Sequence, residues 1–355
     1  MELDTVINDD CIKWLSGQPE GFADLVFADP PFNIGYQYDV YEDKLAYQEY
    51  YDWTEKWMAA CVRALKPAGT FWIAIGDDYA AEIRMLGRKL GLTLRNWVIW
   101  HYTFGQNTKR KFCRSHTHLF YFVRDPKVFT FNEHAIRVFS DRQREYHDKR
   151  ANEKGKLPDD VWSEFPRVCG TFEEREGWHP CQMPETILAR IIRATTTSKP
   201  NSVVLDPFAG SGTTLVVAKK LSRNYIGIEL SNDYVIQMRK RLDRALALPE
   251  ISGERNGPWP EGHIQELQAM YIEAGVGSDK LVKNHELFSG FVRNFNWRLE
   301  HGGVAMDAYS PKEVWGQLMR LRKSGKLGRI KVHAYEDASK QLEEPEWEKV
   351  EELMQ

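Results

Sequence analysis

Two short stretches of this chain bring together residue types that could do chemistry. The first is Asp29-Pro30-Pro31-Phe32, inside DLVFADPPFNIGY. An apolar run ends at Asp29, and the two prolines lock the backbone that follows into an extended path. A carboxylate beside a proline carbonyl gives two adjacent hydrogen-bond acceptors, because proline lacks an N–H but keeps its C=O. Such a pair suits an amino group conjugated to a heterocyclic ring, whose lone pair is delocalised and poorly nucleophilic. If Asp29 accepts one N–H hydrogen and the Pro30 carbonyl the other, the nitrogen is pushed toward a tetrahedral, reactive state. Phe32 then offers a face for an unstacked base, worth ~1–3 kcal/mol. Alone, the tetrapeptide also reads as a strand-ending turn with a buried ring.

The second stretch is SVVLDPFAGSGTTLVVAKKL. A β-branched strand core, Val203–Leu205, runs into Asp206-Pro207-Phe208-Ala209-Gly210-Ser211-Gly212-Thr213, a tight loop from which Thr213 and Thr214 can begin a helix. Glycines let backbone approach a ligand closely and adopt positive φ. A strand–loop–helix of this kind places a ligand at the carboxyl end of a sheet strand. The next strand, NYIGIEL, ends in Glu229, whose ionised carboxylate can accept from two ribose hydroxyls. A glycine turn that only seats a helix is the plainer reading. A dinucleotide site is a sharper rival, but the third glycine of that fingerprint is missing.

Taken in order, DPPFNIGY followed by LDPFAGSGTT resembles the permuted, beta-type group of amino-methylating DNA methyltransferases. In that group the catalytic motif comes first, then a target-recognition region, then the cofactor loop. The resemblance spans residues 1–245. It implies S-adenosyl-L-methionine as cofactor, with Asp29, Pro30, Pro31 and Phe32 as the catalytic set. Asp10, Asp29, Asp206–Thr213 and Glu229 are then the expected cofactor contacts, Asp10 through VINDDC. LKPAGTFWIAIGD and HPCQMPETILARIIRATTT also resemble family segments. Met183 in HPCQMPE stands where many relatives carry a lysine, which removes the amine that a cofactor or phosphate contact would use. Aspartate at the head of the tetrapeptide is commoner among adenine-N6 enzymes and serine among cytosine-N4 enzymes, so adenine is favoured. Both amines need the same two acceptors, and cytosine-N4 stays open. C5 methylation requires a thiolate nucleophile. Pro180-Cys181 superficially fits that, yet reads as packing before a helix. An RNA or small-molecule methyltransferase, or a non-catalytic DNA-binding module, could carry the same two stretches.

Double-stranded DNA is the implied partner. Lys109, Arg110, Lys111 and Arg114, with Phe112 among them, lie in an expected hairpin turn and would pair phosphates. Arg142 and Arg144 belong to the basic and acidic run at 137–167, the candidate recognition region. Arg320, Arg322 and Lys323 lie near the end of a helix that Ser310 can cap, with Pro311 first and Glu313 three residues on. With GKLGRIKVHAY as a small β-wing, this resembles a winged-helix element; an amphipathic helix docked on the core or on a second subunit is the competing view. A homodimer and a cognate restriction endonuclease are further partners suggested by analogy.

These groups need a frame. The chain has 355 residues, 42% of them hydrophobic, which suits one sizeable α/β domain plus an appendage. The periodicity predicts seven strands, at 4–8, 24–29, 70–76, 94–102, 118–123, 202–206 and 224–229. Helices are expected at 47–65, 79–90, 184–195, 213–221 and 233–246. The expected fold is a Rossmann-like α/β domain with a mixed seven-stranded sheet and one antiparallel edge strand, plus a small, mainly helical C-terminal region. The expected domains are 1–248, with 124–178 as target-recognition region, a linker at 249–262, and 263–355. A net charge of −3 puts any DNA contact on local patches rather than a broadly basic body. Five scattered cysteines without CxxC spacing argue against a disulfide framework or zinc site, and no metal is expected. An acidic N-terminus unlike a signal peptide and no apolar run near ~20 residues predict a cytoplasmic, nucleoid-associated protein of bacterial or phage-type setting, away from membranes.

Overall fold

A computed structural model describes residues 1–103, 108–138, 140, 142, 150, 152, 155–169, 174–197, 202–245, 259, 261–301, 308–328 and 330, without the side chains of 261, 300 and 301. The chain divides into two compact units, 1–132 with 159–247 and 133–158 with 248–355. The region 124–178 is thus shared between the two units.

The first unit is a sheet between two helical layers. Its strands are β1 (Thr5–Asn8), β2 (Ala23–Ala28), β3 (Leu65–Ile75), β4 (Thr93–His101), β5 (His116–Val123), β6 (Val161–Trp162), β7 (Val203–Asp206) and β8 (Asn224–Glu229). Their order is β1-β8-β7-β2-β3-β5-β4-β6. The helices are α1 (Cys11–Ser16), α2 (Tyr47–Ala64), α3 (Ala80–Lys89), α4 (Glu185–Thr195), α5 (Thr213–Lys220) and α6 (Asn232–Arg244). Successive strand side chains alternate faces. Leu25, Phe27, Trp72, Leu119 and Tyr121 enter one core with α4, α5 and α6. Val26, Ala28, Phe71, Ile73, Phe120 and Phe122 enter the other, against α1, α2 and α3. Double-sided burial explains why these strands read as continuous apolar runs.

All seven expected strands form, and two expectations are corrected. The sheet has an eighth strand, β6, too short for a periodicity signal. It runs parallel to β4, Val161 beside Ile99 and Trp162 beside Trp100. Buried Arg190 of α4 holds this segment through Glu164 at 2.6 Å and stacks over Phe165 at 4.4 Å. The reversed strand is also not an edge strand. β5 lies between β3 and β4, antiparallel to both, because the β4–β5 hairpin folds β5 back inside β4.

From β7 the chain moves outward to β8, and from β2 it moves the other way to β3. The gap between the carboxyl ends of β2 and β7 is therefore a topological switch point, where open α/β sheets bind ligands. Four acids lie at or just after the ends of adjacent strands: Asp10, Glu229, Asp206 and Asp29.

The second unit has α7 (Glu261–Ala274), α8 (Ser278–Lys283), α9 (His285–His301) and α10 (Pro311–Lys323). Phe288, Phe291, Phe295, Trp315 and Leu318 are among its core residues. Buried Arg298 bridges Glu266 at 3.1 Å and Glu273 at 2.7 Å and donates to the Arg137 carbonyl at 2.5 Å, tying 133–138 to the helices. Ser310 and Glu313 form the expected capping box of α10. Val314, Leu318 and Leu321 are buried in this unit's own core, so that apolar face is already covered. The expected wing beyond 330, the acidic tail and most of the expected linker lie outside the described residues; positions 261 and 262 of the linker are already helical.

Candidate active site

A cavity of about 630 Å³ opens at the switch point, lined by both motifs. Asp29, Pro30, Pro31 and Phe32 contribute one wall, and Asp206, Pro207, Phe208, Ala209, Gly210, Ser211 and Thr213 another; Asp10 and Glu229 complete the expected set. Gly212 is not on the lining. It takes φ +76°, and a Cβ there would meet Met238 Cγ at 2.4 Å, so its service is to let α6 pack against the loop.

The glycine loop is tied down by short bonds from its own residues and from neighbouring elements. Asp206 accepts from the Phe208 N–H at 3.0 Å. The two oxygens of Glu229 accept from Gly210 N–H at 2.8 Å and Ser231 N–H at 2.9 Å, each retaining a lone pair for a further donor. Gly210 has φ +48°, and a Cβ there would come within 2.9 Å of His179 Nε2. Burial lowers the His179 pKa to about 4, so the imidazole packed there is neutral. Buried Arg241 donates to the Ser211 carbonyl and to Thr213 Oγ1, both at 2.9 Å. Asp10 caps α1 by accepting from the Lys13 N–H at 2.9 Å.

The Asp29–Phe32 turn is held from outside the tetrapeptide. Tyr50 Oη donates to the Pro31 carbonyl at 2.6 Å. Asn33 adopts φ +56°, and its side chain joins Leu45 and Tyr79. Asp43, only 2% exposed, gathers the N–H groups of Asn33, Ile34 and Tyr36 at 2.6, 3.1 and 2.9 Å. One buried carboxylate therefore folds the whole stretch after Phe32 into a fixed shape. Tyr36 and Tyr38, carried by this stretch, line the cavity.

Burial raises Asp29 to about 7, with Asp206 adding to the shift and Arg167 opposing it. Burial likewise raises Asp206 to about 7. Cys181 shares the cavity, and burial together with Asp29 pushes its thiol upward, which disfavours a thiolate. Met183, buried in the sheet core, supplies apolar wall.

Sequence reasoning missed Asp43, Trp53, Arg167 and Tyr234. The last three line the cavity, and Trp53 lies 5.7 Å from the Phe208 ring. The density of aromatics and acids just after DPPF was the available signal for Asp43; Arg167 had none, since it reaches the cavity through β6 and the Trp100 Nε1 bond to the Phe165 carbonyl at 2.9 Å.

The expected DNA contacts fall in different places. Lys109, Arg110 and Lys111 are exposed in the β4–β5 turn. Arg114 is instead engaged, 2.5 Å from Asp77 and 2.8 Å from Asp78, and lines the cavity. Arg142 is exposed, and Arg144 lies outside the described residues. Arg320 and Lys323 are exposed, while Arg322 is paired with Asp279 inside the second unit.

A parallel-rich α/β/α sheet with a cavity at its switch point defines a ligand-binding protein of the open α/β class. Known proteins narrow the class. A DNA methylase family model matches residues 23–240. The chain is 36% identical over 239 residues to the Type II methyltransferase M.HpaI of Haemophilus parainfluenzae, covering 67% of this chain and 74% of that one. It is 37% identical over 252 residues to the DNA adenine methyltransferase YhdJ of Escherichia coli (strain K12), covering 69% and 84%. Among solved structures, the PvuII DNA methyltransferase (cytosine-N4-specific) shares the fold, with TM-score 0.52 and 20% identity over 68% of this chain and 88% of that one. The chain belongs to the DNA methylase family. It is a DNA methyltransferase whose cofactor is S-adenosyl-L-methionine. The cavity's donor set fits that molecule, offering carboxylates for an ammonium and for ribose hydroxyls, and the Phe208 and Trp53 rings for a purine. No helix among the described residues is long and apolar enough to cross a membrane.

Proposed function

We propose that this enzyme methylates the exocyclic N6 of adenine in a base turned out of duplex DNA. The observation that carries the reading is the meeting of the Asp29–Phe32 turn and the glycine loop in one cavity. Asp29 and the Pro30 carbonyl accept the two amine hydrogens, while Phe32 stacks on the base. Asp10 and Glu229 hold the cofactor's polar groups, the loop from Asp206 to Thr213 wraps it, and Phe208 packs on its adenine. When bound, S-adenosyl-L-methionine supplies an electrophilic methyl group. The amine nitrogen gains the methyl and gives up one proton, for which ionised Asp29 is the nearest base on the catalytic turn. Adenine rather than cytosine is supported by aspartate at position 29 and by the adenine-methylating relative at 37% identity.

Lys109, Arg110 and Lys111 neutralise phosphates, Arg142 and Arg144 serve target recognition, and Arg320 and Lys323 add contacts from the second unit. The Type II names of relatives such as M.HpaI suit a cognate endonuclease and a cytoplasmic, nucleoid-associated setting; a homodimer completes the reading. The experiment is transfer of a labelled methyl group to duplex DNA and, in parallel, to RNA. Duplex DNA should accept the label, and Asp29→Ala should abolish transfer while calorimetric cofactor binding survives. Preferential labelling of RNA, or an active Asp29→Ala enzyme, would sink it.

A further inference from the structure

Phe112 is 100% exposed, the largest value among the described bulky apolar side chains. Single exposed apolar side chains are ordinary, and it is the setting of Phe112 rather than its exposure alone that sets it apart. It stands in the turn between β4 and β5, directly after exposed Lys109, Arg110 and Lys111. Thr108 Oγ1 bonds the Lys111 carbonyl within this turn.

The turn rests on a fixed stem. Tyr102 N–H donates to the Ser115 carbonyl at 2.8 Å, and Tyr102 Oη donates to the His116 carbonyl at 3.1 Å. Arg114 is clamped by Asp77 and Asp78. Arg114, His116 and Thr117 all line the active-site cavity. A Cβ placed on Gly76 would lie 3.3 Å from the Phe32 ring and 3.6 Å from an Arg114 guanidinium nitrogen, so the stem stands beside the ring assigned to the base. Three exposed cations and one bare ring are thus carried on a turn whose stem lines the cavity.

We propose that Phe112 is a wedge that enters the duplex beside the target nucleotide and fills the gap left when the base turns into the cavity. The inference rests on the DNA-methylating reading above. Cations suit the phosphates on either side of the entry point, and an apolar ring is what proteins insert between base steps. Filling the vacated stack offsets the cost of unpairing and unstacking, so Phe112 is a positioning residue, not a catalytic one.

The test compares two duplexes carrying the same target: one fully paired, the other with an abasic site opposite the target base. Phe112→Ala should lower kcat/KM on the paired duplex by at least about tenfold and leave the abasic duplex within about threefold of wild type, because there the base is already loose. Phe112→Trp should restore the paired rate. With 2-aminopurine at the target, the fluorescence rise on binding should shrink in Phe112→Ala. Lys111→Ala should weaken both duplexes alike and reduce the salt dependence. Equal loss on both duplexes, or none on the paired one, would overturn the wedge. A wild-type enzyme that methylates neither duplex would overturn the reading beneath it and the wedge together.

Discussion

The strand ends that meet in the cavity are stiffened in different ways. After β7, glycines make the turn, and its backbone N–H groups bond to Asp206 within the loop and to Glu229 at the end of the neighbouring strand β8. After β2, prolines and left-handed Asn33 make the turn, and its shape is held by side chains, the Tyr50 hydroxyl of α2 and the Asp43 carboxylate of the following stretch. A loop without side chains leaves room for a ligand to lie against it. A proline turn presents acceptors in fixed directions and has no N–H at those positions to compete. In the proposed reading one end holds the cofactor and the other activates the amine, and both line one cavity, so each can be perturbed separately.

Asp29→Asn keeps an acceptor oxygen but loses the charge, and replaces the second oxygen with a donor facing the amine. Transfer should fall about 10²–10³-fold, with cofactor binding by calorimetry within a few-fold of wild type; an equal loss of binding would erase the distinction between the two ends. Asp43→Ala strands the N–H groups of Asn33, Ile34 and Tyr36. Chemical denaturation should show a loss of about 2–4 kcal/mol, and kcat should fall about 10–100-fold if catalysis depends on the turn being held in place. An unchanged kcat would mean that the prolines suffice alone.

Glu229→Gln is the mirror experiment. One of its two backbone partners would then face an NH₂ group, and cofactor affinity should weaken about tenfold, with turnover at saturating cofactor changed less. The smallest effect is that of pH. In the proposed reading Asp29 takes up the amine's proton, which only its ionised form can do, and its pKa is raised to about 7. The protonated form therefore gains as pH falls through that value, and kcat/KM should drop along an acidic limb centred near 7. Asp29→Asn should remove that limb.

The two ends also differed in how readable they were. Both motifs are contiguous, so their place at strand ends could be read from residue order alone. The doubly buried strands of β2, β7 and β8 announced themselves as apolar runs. Asp43 and Arg167 act through the folded chain. Asp43 is ten residues beyond Asn33, with its carboxylate turned back to the turn, and Arg167 arrives on a segment fixed by Arg190 and Trp100. The two residues of β6 are too few to show a period, and whether β5 would be an edge or an inner strand depends on pairing that residue types do not encode. Arg114 has partners that residue order did not announce. Its type and position suggested a phosphate contact, yet Asp77 and Asp78 already meet its charge.

The most direct measurement is mass spectrometry of nucleosides, together with long-read sequencing, of DNA from cells that express the protein and lack other methyltransferases. The account predicts N6-methyladenine in one recurrent sequence context, absent when Asp29→Ala is expressed instead. N4-methylcytosine in place of N6-methyladenine, or the same methyladenine from the Asp29→Ala protein, would contradict it.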